Sequence, residues 1–557
     1  MEGFGFRGLE FHNNRMWKWE SVHRALDFME KYDLNALIFH QNDLIDFLVE
    51  PKAYFSEEEM WAYWPVRYCS MSTNRQYIQK VIREAKRRGI DFYLEVKEIW
   101  YPEALLDKFP HLRNENGHIC PTDPFWFDFL RIKVEELLQA VPDFAGLIVS
   151  PATRESKVSI AANQCTCARC RNTSEYDWYY QYLRALYEPL SKNGKKLVVR
   201  DFAYSTSSQG AVLRAAEDVS TQIIVALKNV PHDFWPVYPH NPAIERPTKL
   251  RKWIEYDVWG QYAGLGIFPC SLVQDILYRQ DHCLKNGCDG IWYRTDWELL
   301  NECSCFNSLN MVNLIGAAMH AKNPNTTSAD IFRAWASEGI TTALREESCM
   351  VENEVPACPD AAERLEAFMS TAYEVIAKTL YVFGHVFSYS SRYQHAYQSI
   401  YNVMNVYHQR KQWDPDSAAL IVPTEENIAR IIREKEEALA LAKGLRDLLM
   451  PQTLGVSPAL RDELEDILDL YPQYVSGFLY SARAYFRMRK AVEYRSVDDA
   501  RKALEEAASL RAFANGLERR LAQRDYPFYL YWMADPRELL LLCDDIEKMA
   551  GAMLEEK

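Results

Sequence analysis

The sequence predicts a protein of the α/β class, a (β/α)8 TIM barrel followed by an all-α helical C-terminal domain. Eight short apolar runs alternate with stretches of helical periodicity over residues 1–321, which is the pattern of a parallel barrel. A doubly wound sheet is disfavoured because no glycine-rich phosphate-binding turn follows the first strand. Residues 322–557 show only helical periodicity. A chain of 557 residues also exceeds what one hydrophobic core holds, which agrees with two domains.

The predicted barrel strands are apolar runs that end in polar residues. In chain order they read FRGLEFHNN, NALIFHQND, DFYLEVKEIW, AGLIVSPATRE, KLVVRDFAY, IIVALKN, KWIEYDVWGQY and GIWYRTDW. Amphipathic segments between them predict helices, such as SVHRALDFMEKY after the first strand and EYDWYYQYLRALYEPL after the fourth. Asn286 and Gly287 form a stop signal for the helix that precedes the eighth strand.

The C-terminal segment is predicted to form a helical domain. Its amphipathic stretches include SADIFRAWASEG, DAAERLEAFMSTAYEVIAKTLYVFG, EENIARIIREKEEALALAKGLRDLL, PALRDELEDILDLYPQYVSGFLYSARAYFRM and DDARKALEEAASLRAFANGLERRL. Their charged faces are expected to be solvated. Since apolar helical faces often mediate association, a homodimer through this domain is one arrangement that the sequence allows.

Composition and charge narrow the classes of partner. The formal net charge of -14 argues against a nucleic acid or an anionic membrane, because both require a basic surface. The N-terminal stretch MEGFGFRGLEFHNN does not resemble a signal peptide, and no apolar run approaches the ~18 residues of a membrane span. The 13 cysteines are scattered, as expected for reduced thiols. We therefore expect a cytoplasmic protein.

The ends of the predicted strands carry carboxylates, amides, imidazoles and cations. Because the C-terminal ends of barrel strands meet at one mouth, this set is typical of a site for a polyhydroxylated ligand. Strand alternation places Glu255, Asp257 and Gln261 on one face of the seventh strand. The other candidate substrate-binding residues are His12, His40, Asn42, Arg200, Lys228, Asn229, Arg294 and Asp296.

Glycoside hydrolysis needs two carboxyl groups, one that protonates the leaving oxygen and one that activates water or attacks the sugar. Glu155, Asp233, Glu255 and Asp257 are the candidate carboxylates. Two cations on adjacent strands, Arg200 and Lys228, either pair with acidic neighbours or hold a carboxylate of the substrate. In the second case the substrate carries a carboxylate.

Several of these segments match, in chain order, the α-glucuronidases of glycoside hydrolase family 67. The segments FHNNRMWKW, LNALIFHQND and RGIDFYLEV resemble that family's first three strands. The segment VVRDFAY resembles its Trp-Arg-Ala-Phe segment, and KNVPHDF resembles its Lys-Asn-Gly-Pro-x-Asp-Phe motif. WIEYDVWGQYAG and HAKNPNTTSADIFRAWASE are similar to its seventh strand and to the start of its helical domain. The resemblance covers residues 7–340, and the Lys-Asn-x-Pro-x-Asp motif is its most specific part.

The resemblance implies an α-glucuronidase-like hydrolase with Glu155 as the acid and Asp233 as the base. Arg200 and Lys228 match the positions that hold the uronate carboxylate. The family's second base falls on Gln261, which cannot accept a proton, so either Glu255 or Asp257 on the same strand substitutes for it or Asp233 acts alone. The family's N-terminal β domain has no counterpart here, which implies a distant relative.

Three cysteines lie close together in the segment QCTCARCR, namely Cys165, Cys167 and Cys170. Three thiols can bind structural zinc if a fourth Cys or a His approaches from elsewhere. The local spacing shows no fourth ligand, so the sequence favours reduced or partly disulfide-bonded thiols over zinc. Cys303 and Cys305 follow the eighth strand and are expected to approach the same barrel face.

The sequence therefore predicts a glycoside hydrolase that acts on a uronic-acid-containing glycoside and requires no cofactor and no active-site metal. Two alternatives stay open, a non-hydrolytic sugar-binding barrel, which Gln261 favours, and a glycosidase for a neutral sugar. A metal-dependent isomerase is a weaker alternative. It would need a cluster of histidines and carboxylates, for which His12 and His40, beside Glu10 and Glu95, are the candidates.

Overall fold

The structure is a computed structural model that describes residues 2–97, 99–344, 352–407 and 409–555. Its centre is a closed barrel in which β1 to β8 pair in chain order and β8 pairs back with β1. This confirms the predicted fold class. The strands are β1 (Phe6–Phe11), β2 (Ala36–His40), β3 (Asp91–Val96), β4 (Gly146–Val149), β5 (Lys196–Arg200), β6 (Ile224–Lys228), β7 (Arg251–Asp257) and β8 (Gly290–Arg294).

Helices surround the barrel, but the alternation has one exception. Between β6 and β7 the described chain forms a long loop without an α-helix. Asn241 holds this loop in place, because its side chain donates to Lys228 O at 3.1 Å and its backbone N–H donates to Asn229 O at 3.2 Å. The helices of this region are α1 (Trp19–Lys31), α2 (Glu57–Tyr63), α3 (Pro65–Arg87), α4 (Ala104–Lys108), α5 (Phe125–Ala140), α6 (Ala168–Asn172), α7 (Glu175–Lys192), α8 (Thr206–Val219), α9 (Val273–Lys285) and α10 (Met311–Lys322).

The C-terminal region is helical, as predicted, with a short hairpin of β9 (Tyr381–Val382) and β10 (His385–Val386). The hairpin and the last helix were not predicted from the sequence, and the domain boundary at residues 321/322 stays a prediction. None of the helices in the described ranges is long and apolar enough to cross a membrane. The helices are α11 (Ser328–Glu338), α12 (Ala361–Leu380), α13 (Tyr397–Asn402), α14 (Glu425–Leu449), α15 (Pro458–Tyr494), α16 (Val497–Leu521), α17 (Phe528–Met533) and α18 (Pro536–Glu555).

The barrel interior has its own apolar core, separate from the core between strands and helices. Aromatic rings fill its lower part, where Phe6 stacks on Trp253 with ring centroids 3.7 Å apart and Tyr93 meets Phe6 edge-on. Gly290 on β8 makes room for Trp253, since a Cβ there would lie 2.3 Å from the indole. This plug closes the lower end of the barrel and leaves the C-terminal ends of the strands for polar groups.

Candidate active site

A layer of buried charges lies above the aromatic plug. Arg200 donates to both carboxylate oxygens of Glu255, at 2.5 and 2.7 Å, and its Nε lies 3.2 Å from Glu95 Oε1. Burial by itself raises the pKa of Glu255, but Arg200, Lys228 and Arg294 together more than offset this, and the net pKa lies below its usual value. Arg200 also donates to Ser150 Oγ at 3.2 Å. Arg200 and Glu255, predicted to bind the substrate and to assist the base, are therefore paired with each other.

Two histidines and Glu10 continue this layer across β1 and β2. Glu10 binds His40 Nδ1 at 2.8 Å and accepts a hydrogen bond from Trp292 Nε1 at 2.7 Å. The rings of His12 and His40 lie 3.8 Å apart, and burial lowers the pKa of His12 to about 4 and that of His40 well below its usual value. Both imidazoles are therefore neutral at neutral pH. Glu10, His12 and His40 could each offer a ligand atom to a metal, although His40 Nδ1 already binds Glu10.

Asp233 lies in the loop that follows β6 and is buried among donors. Its Oδ1 accepts from Lys228 Nζ at 2.9 Å and from the backbone N–H of Phe234 at 3.0 Å, and its Oδ2 accepts from the Tyr262 hydroxyl at 2.6 Å. Burial acts to raise the pKa of Asp233, but Lys228, His232 and Tyr262 together hold it well below its usual value. Asp233 is thus a fully ionised carboxylate at neutral pH.

Glu155 lies in the loop after β4, and its side chain is 38% exposed. It forms an ion pair with Lys97, which follows β3 and is buried. Burial lowers the pKa of Lys97, whereas contact with the Glu155 carboxylate favours the charged ammonium. The neighbouring Arg154 has a positive φ of 61° and stacks over the Tyr204 ring at 5.1 Å. Arg154 thus lies against Tyr204, and Lys97 is the cation that pairs with Glu155.

Asp257 and Gln261, at and just after the end of β7, differ in their hydrogen bonding. Asp257 accepts hydrogen bonds from the backbone N–H groups of Trp259, Gly260 and Gln261, at 3.2, 3.3 and 2.7 Å. Asp257 therefore shapes the loop after β7, and burial raises its pKa. Gln261 keeps its side-chain oxygen without a partner among the described residues.

The end of β8 brings three charged residues together. Arg294 Nε donates to Asp296 O at 3.2 Å, and its Nη2 lies 3.5 Å from Glu298 Oε2. Glu298 also binds His12 Nε2 at 2.7 Å. Burial raises the pKa of Asp296 to about 7. Glu298 was not among the residues predicted from the sequence, although its position shortly after a predicted strand end was a signal that could have identified it.

Several buried polar atoms at these strand ends lack a hydrogen-bond partner in the described chain. They are His40 Nε2, Asn229 Oδ1, Gln261 Oε1 and Asp296 Oδ2. An unsatisfied buried polar group costs about 1–3 kcal/mol, so a cluster of them at one end of a barrel indicates a place for a polar ligand or for water. Asn42 is not part of this cluster. It lines a small cavity with Lys133 on α5 and Tyr182 on α7.

The helical region contributes to the same end of the barrel. Tyr262 packs against Trp235 with ring centroids 3.8 Å apart, and Tyr389 lies 6.1 Å from Tyr262. Ser391 ties this region to the loop after β7, since its hydroxyl donates to Gln261 O at 2.9 Å and accepts from the backbone N–H of Gly264 at 3.0 Å. The sequence holds no signal that Tyr389, more than 120 positions after Tyr262, would reach the site.

A cavity of about 990 Å³ opens between the loops that follow β2, β3 and β4. Its wall includes Trp64, Trp100 and Tyr101, together with Lys157 from the loop that carries Glu155. Aromatic rings of this kind are suited to stacking against the apolar faces of sugar rings. Neither Glu155 nor Asp233 is among the residues that line this cavity.

The fold and the site define the class of molecule, a (β/α)8 barrel with carboxylates, cations and unpaired polar atoms at the ends of its strands. No protein-family model matches the sequence, and the comparison with curated proteins finds no match either.

Among solved structures, a GH138 enzyme targeting pectin rhamnogalacturonan II is 13% identical, with a TM-score of 0.59 over 92% of this chain and 62% of that one. The chain thus spans less than two thirds of that enzyme. An O-GlcNAc hydrolase mutant from Thermobaculum terrenum is 12% identical, with a TM-score of 0.44 over 100% of this chain and 95% of that one. The chitobiase of Flavobacterium johnsoniae is 14% identical, with a TM-score of 0.40 over 91% of this chain and 75% of that one. The first likeness supports the fold, and the family 67 resemblance stays a prediction.

Proposed function

We propose that the protein is a glycoside hydrolase with Glu155 as the general acid and Asp233 as the second carboxylate. The observation that carries this proposal is the state of Asp233, a buried ionised carboxylate at a barrel strand end. A permanently charged carboxylate suits the stabilisation of an oxocarbenium-like transition state or an attack on the sugar. Its low pKa makes Asp233 a weak proton acceptor, so its main contribution is its negative charge rather than proton transfer.

The acid role of Glu155 requires a change in its surroundings during the reaction. The Lys97 ammonium favours the ionised form of the neighbouring carboxylate, whereas a general acid must carry a proton. We infer that substrate binding separates this ion pair. The half-exposed position of Glu155 on a loop permits such a movement. Burial of Lys97 also disfavours its charged form, which lowers the cost of losing the carboxylate partner.

For the sugar, the family 67 resemblance favours a uronide, and the charge pairs at the site favour a neutral glycoside. The four cations at the strand ends, Lys97, Arg200, Lys228 and Arg294, each lie against a carboxylate of the protein. A uronate would have to compete with one of these carboxylates, which weakens its binding. The uronide stays the first proposal because the family 67 resemblance places Arg200 and Lys228 at the positions that hold a uronate carboxylate, and the neutral glycoside is its specific alternative.

The test is the release of sugar from aryl uronides and aryl glycosides of neutral sugars, measured side by side. Asp233→Asn is expected to reduce turnover on every substrate by about 10³-fold or more, because the charged carboxylate is lost. Asp201→Asn is its matched control, since Asp201 is a buried carboxylate at the end of the neighbouring β5 that binds Gln209 at 2.6 Å. Equal losses in both variants would contradict the role of Asp233.

The role of Glu155 is tested by the leaving group. Glu155→Gln should reduce turnover far more on glycosides with poor leaving groups than on activated aryl glycosides, because only the former need a proton donor. Glu103→Gln is the matched control, since Glu103 is an exposed glutamate that binds Lys157 at 2.9 Å. A loss that is independent of the leaving group would remove Glu155 from the acid role.

A non-hydrolytic sugar-binding protein is the second candidate, and the side chain of Gln261 favours it. Gln261 stands where the family 67 resemblance places a catalytic glutamate, and its oxygen is unpartnered within the described structure. A rise in melting temperature with an oligosaccharide that is recovered uncleaved would support this candidate. A cytoplasmic location and a homodimer through the helical domain are further proposals, and fractionation and light scattering test them.

A further inference from the structure

Four cysteine thiols from two separate segments meet beside the barrel. Cys120 lies between β3 and α5, whereas Cys165, Cys167 and Cys170 lie between β4 and α7. Cys120 Sγ lies 3.7 Å from Cys167 Sγ and 3.6 Å from Cys170 Sγ. All four sulfur atoms lie within 4.8 Å of one another. Cys303 and Cys305, which the sequence analysis expected to approach, are not part of this cluster.

The separations of the sulfur atoms fit a tetrahedron around one metal ion. A tetrahedral site with Zn–S bonds of about 2.3 Å has S···S edges of about 3.8 Å, close to the 3.6 and 3.7 Å between Cys120 and its two neighbours. A disulfide requires an S–S distance of about 2.05 Å, and all four cysteines are free thiols here. The cluster is therefore spaced for a shared ligand rather than for two covalent bonds.

The surroundings of the cluster hold the sulfur atoms in place. The backbone N–H of Cys170 donates to Cys167 Sγ at 3.4 Å, and the Thr122 hydroxyl lies 3.4 Å from Cys120 Sγ and 3.2 Å from Cys170 Sγ. Asn163 fixes the backbone of Cys165 through two hydrogen bonds of 2.7 and 3.2 Å. Such outer contacts orient thiolate ligands before a metal binds.

Further hydrogen bonds hold the first segment in place and join it to the second. Trp126 Nε1 donates to Cys120 O at 3.0 Å, and Trp178 Nε1 donates to Pro121 O at 2.8 Å. Arg169, on α6 between two of the cysteines, binds Asp123 at 3.1 Å and so connects the two segments a second time. The cationic side chain of Arg169 also offsets part of the negative charge that four thiolates around a divalent ion would carry.

We propose that Cys120, Cys165, Cys167 and Cys170 bind one Zn²⁺ ion in a closed tetrathiolate site that clamps the two segments together. Four protein ligands leave no open position, so the site is structural rather than catalytic. The clamped segment between β4 and α7 begins with the loop that carries Glu155, and the ion would restrict the movement of that loop. The proposal stands on the four cysteines and does not depend on the hydrolase assignment.

The test is the metal content of the full chain, purified without affinity metals or chelators and measured by plasma mass spectrometry. We expect about one zinc ion per chain. Cys120→Ser and Cys170→Ser should each lose most of it, and Cys358→Ser, a half-buried cysteine outside the cluster, should keep it. Removing zinc with a chelator should lower the melting temperature of the wild-type protein, and adding zinc back should restore it.

Cobalt substitution of the wild-type chain provides a readout that does not depend on whether the variants fold. Co²⁺ should produce thiolate-to-cobalt charge-transfer bands and the intense visible bands of a tetrahedral ion, and zinc should displace it. No bound zinc together with no cobalt spectrum would overturn the proposal. One iron ion per chain in place of zinc, or a disulfide between two cluster cysteines in protein alkylated at lysis, would overturn it as well.

Discussion

The hydrogen bond from Tyr262 to Asp233 permits a direct test of the charge state assigned to Asp233. Tyr262→Phe removes one hydroxyl that donates to Asp233 Oδ2 at 2.6 Å and leaves the contact between the ring and Trp235 in place. Lys228 and the backbone N–H of Phe234 continue to bind the other carboxylate oxygen. The substitution therefore removes one of three hydrogen bonds that stabilise the ionised carboxylate and leaves the other two in place.

The magnitude follows from the charge on the acceptor. A hydrogen bond to a charged group contributes about 1.5–3 kcal/mol, and each 1.36 kcal/mol corresponds to one pKa unit. The pKa of Asp233 should therefore rise by about 1–2 units in the variant. Since the wild-type pKa is held below that of the unfolded chain, ionised Asp233 stabilises the fold above about pH 4 and loses this contribution as the pH falls.

The assay is urea unfolding followed by tryptophan fluorescence at several pH values. Tyr262→Phe should lower the free energy of unfolding by about 1.5–3 kcal/mol, equally at about pH 7 and pH 5, with the difference shrinking only below about pH 4. Tyr471→Phe is the matched control, because Tyr471 is a buried tyrosine whose hydroxyl donates to the neutral carbonyl of Pro269 at 2.9 Å. The loss of stability caused by Tyr471→Phe should not depend on pH.

One outcome would refute the reasoning. If the destabilisation by Tyr262→Phe shrank between about pH 7 and pH 5, the hydroxyl would be supporting a group that titrates near neutrality. Asp233 would then be protonated in part at neutral pH, and its role as a permanently charged carboxylate would be wrong.

Two further predictions concern buried carboxylates. Glu255→Gln should lower the free energy of unfolding by about 3–5 kcal/mol, because Arg200 then loses the carboxylate that binds both its Nε and its Nη2. The double variant Arg200→Met/Glu255→Met should recover part of this loss in denaturant midpoints, and no recovery would contradict the pairing. Burial raises the pKa of Asp296 from 3.8 to about 7, so the wild type should lose stability as the pH rises between these values, by up to about 1.4 kcal/mol per pH unit. Asp296→Asn should flatten this slope, and an unchanged slope in pH-dependent unfolding would assign it to another group.

The barrel could be predicted from the sequence because strand and helix signals are local. A strand such as KLVVR is apolar and β-branched over a few residues, and the structure places β5 at Lys196–Arg200. The long loop that stands in place of a helix between β6 and β7 was not predicted, because no local sequence pattern marks it. The loop that follows Lys228 is held by Asn241, whose hydrogen bonds give no periodic signal in the sequence.

The candidate site was likewise predicted only in part. The sequence identified Asp233, Glu155 and Lys228 as polar residues at strand ends, and all three lie at the same end of the barrel in the structure. It did not identify the partners of these residues. Asn42 was selected on its position after β2, and in the structure it lines a small cavity together with residues of α5 and α7.

The sequence by itself determined the order of strands and helices and which residues follow each strand, because backbone alternation and helical periodicity act over a few neighbouring positions. Only the tertiary structure decided that Arg200 binds Glu255, that Tyr389 reaches the loop after β7, and that Cys120 meets Cys170. Such pairings depend on closure of the barrel and on the packing of distant segments. They are set by distances of a few ångström between side chains far apart in the chain, and no local pattern records those distances.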